Sequence, residues 1–319
     1  MNLLVPLNNR EHLSSYIAAG ATEFYMGFID EAWSSSHGIY SDINRMSGFG
    51  KIANKYTFKE HCAIVTEIKK KNKSVFTTIN AAQYSTKEID YICEKFLPQL
   101  KKCDVDGIIS SDDTLIKRII KCGLTVVAST MCGVYNSDIA KYYRELGVSR
   151  IILPRDLSLS EIEKIITKVP DIEYEVFLMR NGCCFSDSQC LGLHREKGSM
   201  CGLLKNSYKK YFSINKAFST IHAIEWNDIV YNTFFHNEAC GMCAIYDLLK
   251  IGIKAGKIVG RADQFQAVLQ DILCCKQNIQ IAQLAQNRNE YLDNMIFPPN
   301  RYIECKQGLS CYYPDIRFN

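Results

Sequence analysis

The sequence lacks the long apolar runs that mark membrane and secreted proteins. Nowhere do about eighteen apolar residues follow one another, so we expect no membrane-spanning helix. Residues 1–7 meet Asn8, Asn9 and Arg10 before an apolar stretch of signal-peptide length can develop. We therefore expect no signal peptide and no association with a membrane.

Several short catalytic motifs and a dominant charge are also missing. The sequence has no His-Glu-x-x-His helix, no Gly-x-Ser-x-Gly turn, and no Gly-x-Gly-x-x-Gly after its first predicted strand. The 38 Lys and Arg residues against 34 Asp and Glu residues leave a net charge of only +4. This balance does not require a nucleic acid as partner, although it is compatible with RNA, and we expect no binding to DNA.

Cysteine is present in excess. Fifteen cysteines exclude complete pairing within the chain, because the number is odd. In a long chain without a secretion signal, many cysteines favour metal binding or redox chemistry over a disulfide framework. We therefore expect a cytoplasmic protein with reduced thiols.

Short β-branched and aromatic runs alternate with helical patterns along the chain. The predicted strands cover residues 3–7, 23–27, 74–80, 107–110, 125–130, 150–154, 174–178 and 257–260. Helix starts are indicated by capping boxes, in which a hydroxyl residue is followed three positions later by glutamate. They begin at Thr57, Ser85 and Ser158.

Eight strand–helix units are typical of a (β/α)8 TIM-type barrel, although an open, doubly wound sheet has the same alternation. Two segments interrupt it, a long loop over residues 28–55 after strand 2 and a longer insertion over 180–240 after strand 7. We predict an α/β barrel over residues 1–279, including the Cys-containing insertion. Residues 280–319 are predicted to form a C-terminal helix and tail packed on the barrel.

The insertion carries a concentration of cysteines, at positions 183, 184, 190, 201, 240 and 243. Iron–sulfur clusters and structural zinc ions both need about four thiolates that converge from flexible backbone. Spacing alone leaves three possibilities open, namely an iron–sulfur cluster, a zinc ion and no metal. We assign no role to Cys184, to Cys243 or to the cysteines of the tail.

Part of the chain resembles the collagenase-like proteins of peptidase family U32. The family signature has Glu-x-Phe followed by two cysteines with six residues between them, and Glu175, Phe177, Cys183 and Cys190 stand at these places. Residues 180–182 and Ser188 depart from the glycine and the small or apolar positions of the signature.

The resemblance continues through the insertion to the last predicted strand. Cys201 matches a third family cysteine, and Cys240 stands seventeen residues before the stretch Lys257-Ile-Val-Gly-Arg261. Val259 replaces an acidic residue that is usual in the family.

This resemblance implies a barrel that holds a 4Fe-4S cluster, with Cys183, Cys190, Cys201 and Cys240 as its ligands. It also implies oxygen-independent hydroxylation of a uridine in transfer RNA, a cytidine in ribosomal RNA or a ubiquinone precursor. For the RNA reactions the implied oxygen donor is prephenate. The family name records an older attribution of collagen-degrading activity, so a peptidase is the alternative.

The substrate residues of such a barrel are expected at the carboxyl ends of its strands. We name Asn80, Ser129, Arg155, Glu175 and Arg261 as candidates. Two of them, Arg155 and Arg261, suit the carboxylates of a dianion such as prephenate, but structural salt bridges at the rim are an equal alternative. Glu175 has the further interpretation of an ion-pair partner within strand 7.

Three functions remain open at this stage, namely an iron–sulfur hydroxylase, a peptidase, and a non-catalytic iron–sulfur subunit that acts with a partner protein of the same family. Basic and aromatic residues alternate over residues 205–212, a pattern that can follow RNA but is also typical of a solvated amphipathic flap. Fold and cofactor do not choose between these functions.

Overall fold

Eight parallel strands close into a barrel in the computed structural model, which describes residues 1–38, 41–183, 186–190, 239–298 and 311–316 and the single positions 203 and 207. Each strand pairs with the next along the chain, and the eighth pairs with the first. The strands are β1 (Asn2–Pro6), β2 (Glu23–Met26), β3 (Ser74–Thr78), β4 (Gly107–Ser110), β5 (Val126–Ala128), β6 (Arg150–Ile152), β7 (Glu173–Met179) and β8 (Ala255–Ile258). The predicted (β/α)8 barrel is confirmed, and every predicted strand overlaps an observed one.

Helices follow the strands and cover the outside of the barrel. They are α1 (Leu13–Ala19), α2 (Glu31–His37), α3 (Phe58–Lys70), α4 (Thr86–Tyr91), α5 (Leu97–Lys102), α6 (Asp113–Lys121), α7 (Ser137–Leu146), α8 (Leu159–Lys168), α9 (Ile245–Lys250), α10 (Phe265–Leu284) and α11 (Arg288–Asn294). The three predicted capping boxes are all present, at the starts of α3, α4 and α8. In each box the hydroxyl and the glutamate accept hydrogen bonds from amides that the helix leaves unpaired.

The two predicted interruptions lie after β2 and β7. The first contains α2 and a short 3-10 turn, Ser47–Ile52, where the sequence indicated only a loop. Asp30 starts α2 because its carboxylate accepts a hydrogen bond from the Trp33 amide at 2.7 Å. Most of the second interruption, including residues 205–212 except Ser207, lies outside the described residues.

Near its carboxyl end the described chain continues from β8 into α10, α11 and a segment at residues 311–316. The predicted boundary between residues 279 and 280 falls within α10, and the division into barrel and tail stays a prediction. In the ranges that the structure describes, we find no helix of the length and apolarity needed to cross a membrane.

The interior of the barrel contains charged side chains as well as apolar ones. Arg150 on β6 reaches across to Glu23 on β2, with 2.6 Å between Nη1 and Oε2. Lys257 on β8 donates to Glu175 on β7 at 2.9 Å. A buried charge is costly unless an opposite charge and hydrogen bonds compensate it. These pairs therefore allow charged residues to occupy the barrel interior.

A buried histidine links the outside of β3 to α3. The Nε2 atom of His61 lies 2.8 Å from the Thr77 hydroxyl, and its ring packs 5.2 Å from the Phe28 ring. Burial lowers the pKa of His61 from 6.5 to about 3, so the imidazole stays neutral in the folded protein at neutral pH.

Acid should therefore destabilise the protein through His61. Below pH 6.5 the unfolded chain binds a proton at this residue, whereas the folded chain does not. The free energy of unfolding should fall by about 2 kcal/mol between pH 7 and pH 5 from this residue alone. Urea unfolding of the wild type and of His61→Gln at both pH values measures this contribution as the difference between the two pH dependences. Equal dependences would contradict the assignment.

Candidate active site

Polar residues from several loops meet at the end of the barrel where the strands finish, which we call the mouth. Asn80 follows β3 and Ser129 follows β5, and the Asn80 amide donates to the Ser129 hydroxyl at 3.2 Å. The side-chain oxygen of Asn80 accepts a hydrogen bond from the Arg45 backbone amide at 3.3 Å. Two predicted site residues thus touch each other and hold the loop that follows β2.

Arg261, which follows β8, is buried at the mouth among uncharged partners. Its guanidinium donates to the Thr78 hydroxyl at 2.9 Å and to the side-chain oxygens of Asn44 and Asn54 at 3.2 Å each. Within the described ranges no carboxylate lies at ion-pair distance from it. Burial, together with the charge of Arg45, lowers the pKa of Arg261 to about 10. The group is therefore still a cation at neutral pH, with no counter-charge among its described partners.

Gly27 makes room for this guanidinium. A side chain at position 27 would place its Cβ against the Asn54 oxygen, the Arg261 guanidinium and the Asn44 amide. These atoms would lie well inside van der Waals contact, so only glycine fits beside the cation as it is now held.

A second cluster of charges is centred on Asp187, which lies between Cys183 and Cys190. Arg45 and Arg155 approach the two carboxylate oxygens to 2.5 Å and 2.7 Å, and the Thr130 hydroxyl donates to the second oxygen at 3.0 Å. Burial alone would raise the pKa of Asp187, but the two arginines outweigh it and hold the pKa well below its usual range. The carboxylate is therefore ionised at neutral pH.

Hydrogen bonds at the edge of the Arg155 guanidinium and an aromatic ring on one of its faces fix this side chain. Besides Asp187 it donates to the backbone carbonyl of Asn181, and its guanidinium stacks 4.3 Å above the ring of Phe177. A guanidinium over an aromatic ring is a stabilising arrangement that also fixes its direction. The predicted site residue Arg155 therefore forms part of a built ion cluster at the mouth.

The remaining substrate candidate, Glu175, lies deeper in the barrel. It is 1% exposed, and it pairs with Lys257 at 2.9 Å and with Arg150 at 3.5 Å. The structure does not bring it together with Asn80, Ser129 and Arg261. Its observed contacts are those of an interior ion pair.

Three of the four predicted ligand cysteines are described, and they lie on the same side of the mouth. Cys183 follows β7, and Cys240 pairs with Met179 at the end of that strand. Burial lowers and the charge of Asp187 raises the pKa of both Arg155 and Arg45, and Cys183 and Cys190 lie close enough to add smaller electrostatic effects on Arg155 and Arg45, respectively. All three thiols are half-buried.

The fourth predicted ligand, Cys201, and the unassigned Cys184 lie outside the described residues. Within the part of the chain that is described, no three histidine, cysteine or carboxylate side chains converge closely enough to hold a metal ion. Cysteine thiolates on one side of the mouth are chemically suited to iron or zinc. Cys243, by contrast, is buried in the core beneath this site.

The segment at residues 311–316, which we call the strap, crosses the cysteine side of the mouth. The backbones of Cys311 and Cys240 form an isolated parallel β-bridge, in which the Tyr312 amide donates to the Cys240 carbonyl at 3.0 Å. The hydroxyls of Tyr312 and Tyr313 donate to the carbonyls of Arg180 and Phe177. The strap thus holds the chain on both sides of the insertion.

Sequence reasoning missed several residues of this site, above all Arg45, Asp187 and the strap tyrosines. The loop at 28–55 was recognised as long, and its position after a strand was the available signal that it reaches the mouth. Asp187 lies inside the cysteine spacing that was recognised, but a single carboxylate there carried no motif.

Comparisons with known proteins assign the family. The model of peptidase family U32 matches residues 8–306. The tRNA hydroxylation protein P of Helicobacter pylori strain J99 is 30% identical over 200 residues, which cover 62% of this chain and 43% of that protein. The 23S rRNA 5-hydroxycytidine C2501 synthase of Escherichia coli K12 is 25% identical over 198 residues, 62% of this chain and 27% of that protein.

A third similar protein, named an uncharacterized protease, comes from Methanocaldococcus jannaschii. It is 27% identical over 219 residues, which cover 66% of this chain and 49% of that protein. The chain therefore spans less than half the length of each of these three relatives.

The Arg261 pocket should depend on the absence of a side chain at position 27. We expect Gly27→Ala to lower the free energy of unfolding by about 1–3 kcal/mol, because the methyl group displaces Arg261 and Asn54. Gly107→Ala on β4 is the matched control, since its methyl group would come no closer than 3.1 Å to the Phe76 ring. Denaturant unfolding compares the two variants, and equal effects would show that the pocket does not constrain position 27.

Proposed function

Because the chain belongs to peptidase family U32, we propose that it takes part in the hydroxylation of an RNA base. The names of two relatives, a tRNA hydroxylation protein and an rRNA 5-hydroxycytidine synthase, support this reaction class. In this proposal the mouth of the barrel binds a small carboxylate donor, and the cysteines of the insertion hold an iron–sulfur cluster beside it.

The buried Arg261 is the observation that carries the proposal. Arg261 is 5% exposed, and its hydrogen-bond partners among the described residues are neutral oxygens, so within that part of the chain it lacks the counter-charge that buried cations normally have. A carboxylate of the bound donor would supply that charge, because guanidinium groups bind carboxylates through two parallel hydrogen bonds. Arg155 and Arg45 also lie at the mouth. These two cations share a single negative charge, that of the Asp187 carboxylate. The site therefore suits a small dicarboxylate such as prephenate.

The cysteine ligands are proposed on their chemistry and placement. Cys183, Cys190 and Cys240 are half-buried cysteines on the β7 side of the mouth, and Cys201 completes the set from outside the described residues. When bound, a 4Fe-4S cluster with four thiolate ligands supplies one-electron transfer and leaves no open iron for a substrate. The donor and the RNA base would then bind at the neighbouring polar residues, which orient them and keep water from the reacting atoms.

The contacts of the described histidines do not support the peptidase alternative. A cysteine nucleophile needs a histidine within hydrogen-bond reach. In the described ranges, His61 is bonded to Thr77, and neither it nor His12 or His37 is hydrogen-bonded to a thiol. Burial also raises the pKa of the Cys132 thiol, near the mouth, to about 12, which keeps it protonated and unreactive.

Expression in a bacterium that lacks its own tRNA hydroxylation protein tests the reaction. We expect hydroxylated nucleosides in digested tRNA or rRNA, measured by liquid chromatography and mass spectrometry. Arg261→Gln should lower their yield by about tenfold or more, because the pocket loses its cation. Arg118→Gln is the control, since Arg118 on α6 pairs with Asp90 on α4 outside the mouth. Without any hydroxylated product, or with equal yields from the two variants, the proposal fails.

The cluster is tested by anaerobic purification and measurement of iron, acid-labile sulfide and the visible spectrum. We expect about four irons and four sulfides per chain. Serine at position 183, 190, 201 or 240 should abolish the cluster, whereas Cys243→Ser should keep it because Cys243 lies in the core. Zinc in place of iron, or full iron content in all four ligand variants, would contradict this assignment.

A further inference from the structure

We propose that Asp187 is the positioning residue that fastens the segment from Cys183 to Cys190, which we call the cysteine loop, to the mouth of the barrel. This inference deepens the proposed function, on which its relevance to a cluster rests. Asp187 lies four residues after Cys183 and three before Cys190, so fixing its side chain restricts both thiols. Asp187 contacts no substrate in this proposal and acts through the loop that it holds.

Three separate loops hold the Asp187 carboxylate. Arg45 comes from the loop after β2, Thr130 from the loop after β5 and Arg155 from the loop after β6. The carboxylate has no exposure to solvent, and its arginine partners are themselves mostly buried. Ion pairs that water does not screen are stronger than pairs at the surface, and breaking one leaves an uncompensated buried charge.

The other described links of the cysteine loop to the barrel are weaker or lie at its edges. The Ser186 hydroxyl meets the Tyr135 hydroxyl, and Ser188 packs against Gly133. Within the loop, the Cys190 amide donates to the Asp187 carbonyl at 3.2 Å and closes a single 3-10 turn. These contacts are neutral and local, so the charged anchor at Asp187 is expected to dominate the placement of the loop.

Both arginine partners also belong to the candidate anion site. Arg155 stacks on Phe177 of β7, and the backbone amide of Arg45 bonds to Asn80. The anchor therefore fixes the distance between the thiols and the groups proposed to bind the donor. Loss of the carboxylate would free the loop and leave the two guanidinium groups facing each other without a counter-charge.

Alkylation of the metal-free protein by iodoacetamide, resolved by peptide mass spectrometry, tests the anchor directly. We expect Asp187→Asn to raise the alkylation rates of Cys183 and Cys190 by about tenfold, since the loop opens more often. The rates at the buried Cys274 and Cys275 should stay unchanged. Asp187→Glu, which keeps the charge, should restore rates near those of the wild type.

Glu23→Gln is the matched control. Glu23 is likewise a buried carboxylate held by an arginine, but it lies inside the barrel on β2. It should not change the rates at Cys183 and Cys190 relative to the other thiols. If Asp187→Asn fails to fold, Thr130→Val removes one bond to the same carboxylate and should raise the two rates by about two- to threefold.

Unchanged rates at Cys183 and Cys190 in Asp187→Asn, or a uniform rise at every cysteine, would overturn the proposal. Because this measurement uses metal-free protein, its outcome does not depend on a cluster. Iron release to a chelator from the reconstituted protein gives a second reading. Faster alkylation in a protein that never binds iron would retain the anchor and reject the cluster.

Discussion

A carboxylate without access to water has to find cationic partners, and Asp187 finds them on two different loops. Its pairs with Arg45 and Arg155 join the segments after β2, β6 and β7 at one point. Further contacts radiate from this point, since Arg45 continues to Asn80 and Arg155 stacks on Phe177. The arrangement of the mouth thus depends on one buried charge and its neutralisation.

The cations inside the barrel also need compensation for burial, but they fall into two groups, with and without a carboxylate partner. Arg150 and Lys257 meet carboxylates directly, so these pairs are internally complete and contribute to the structure. Among the described residues, Arg261 meets amide and hydroxyl oxygens and the ring of Tyr25, none of which carries a negative charge. Arg150 and Lys257 show that the same barrel can supply carboxylate partners to buried cations. The described surroundings of Arg261 supply none. This difference is the reason for proposing an anion site at Arg261 and not at Arg150 or Lys257.

Much of the fold could be predicted from the sequence, because strand and helix patterns depend on neighbouring residues. The capping boxes at Thr57, Ser85 and Ser158 are local signals, and the structure confirms all three. The mouth could be predicted only in part. Asn80, Ser129, Arg155 and Arg261 could be placed there because each lies at the carboxyl end of a predicted strand or directly after it. Partners distant in sequence, such as Arg45 with Asp187, are 142 residues apart, and no periodicity reports such a contact.

The strap can reach its partners only late in synthesis, because it lies near the carboxyl end of the chain. Tyr312 bonds to the Arg180 carbonyl, and these residues are 132 positions apart. When the last barrel strand, β8, leaves the ribosome, the chain around Cys240 still lacks its strap partners. At a typical synthesis rate of about 5–20 residues per second, several seconds pass before residue 313 emerges. In a nascent chain the segment around Cys240 therefore gains its strap contacts only after all eight barrel strands have been synthesised.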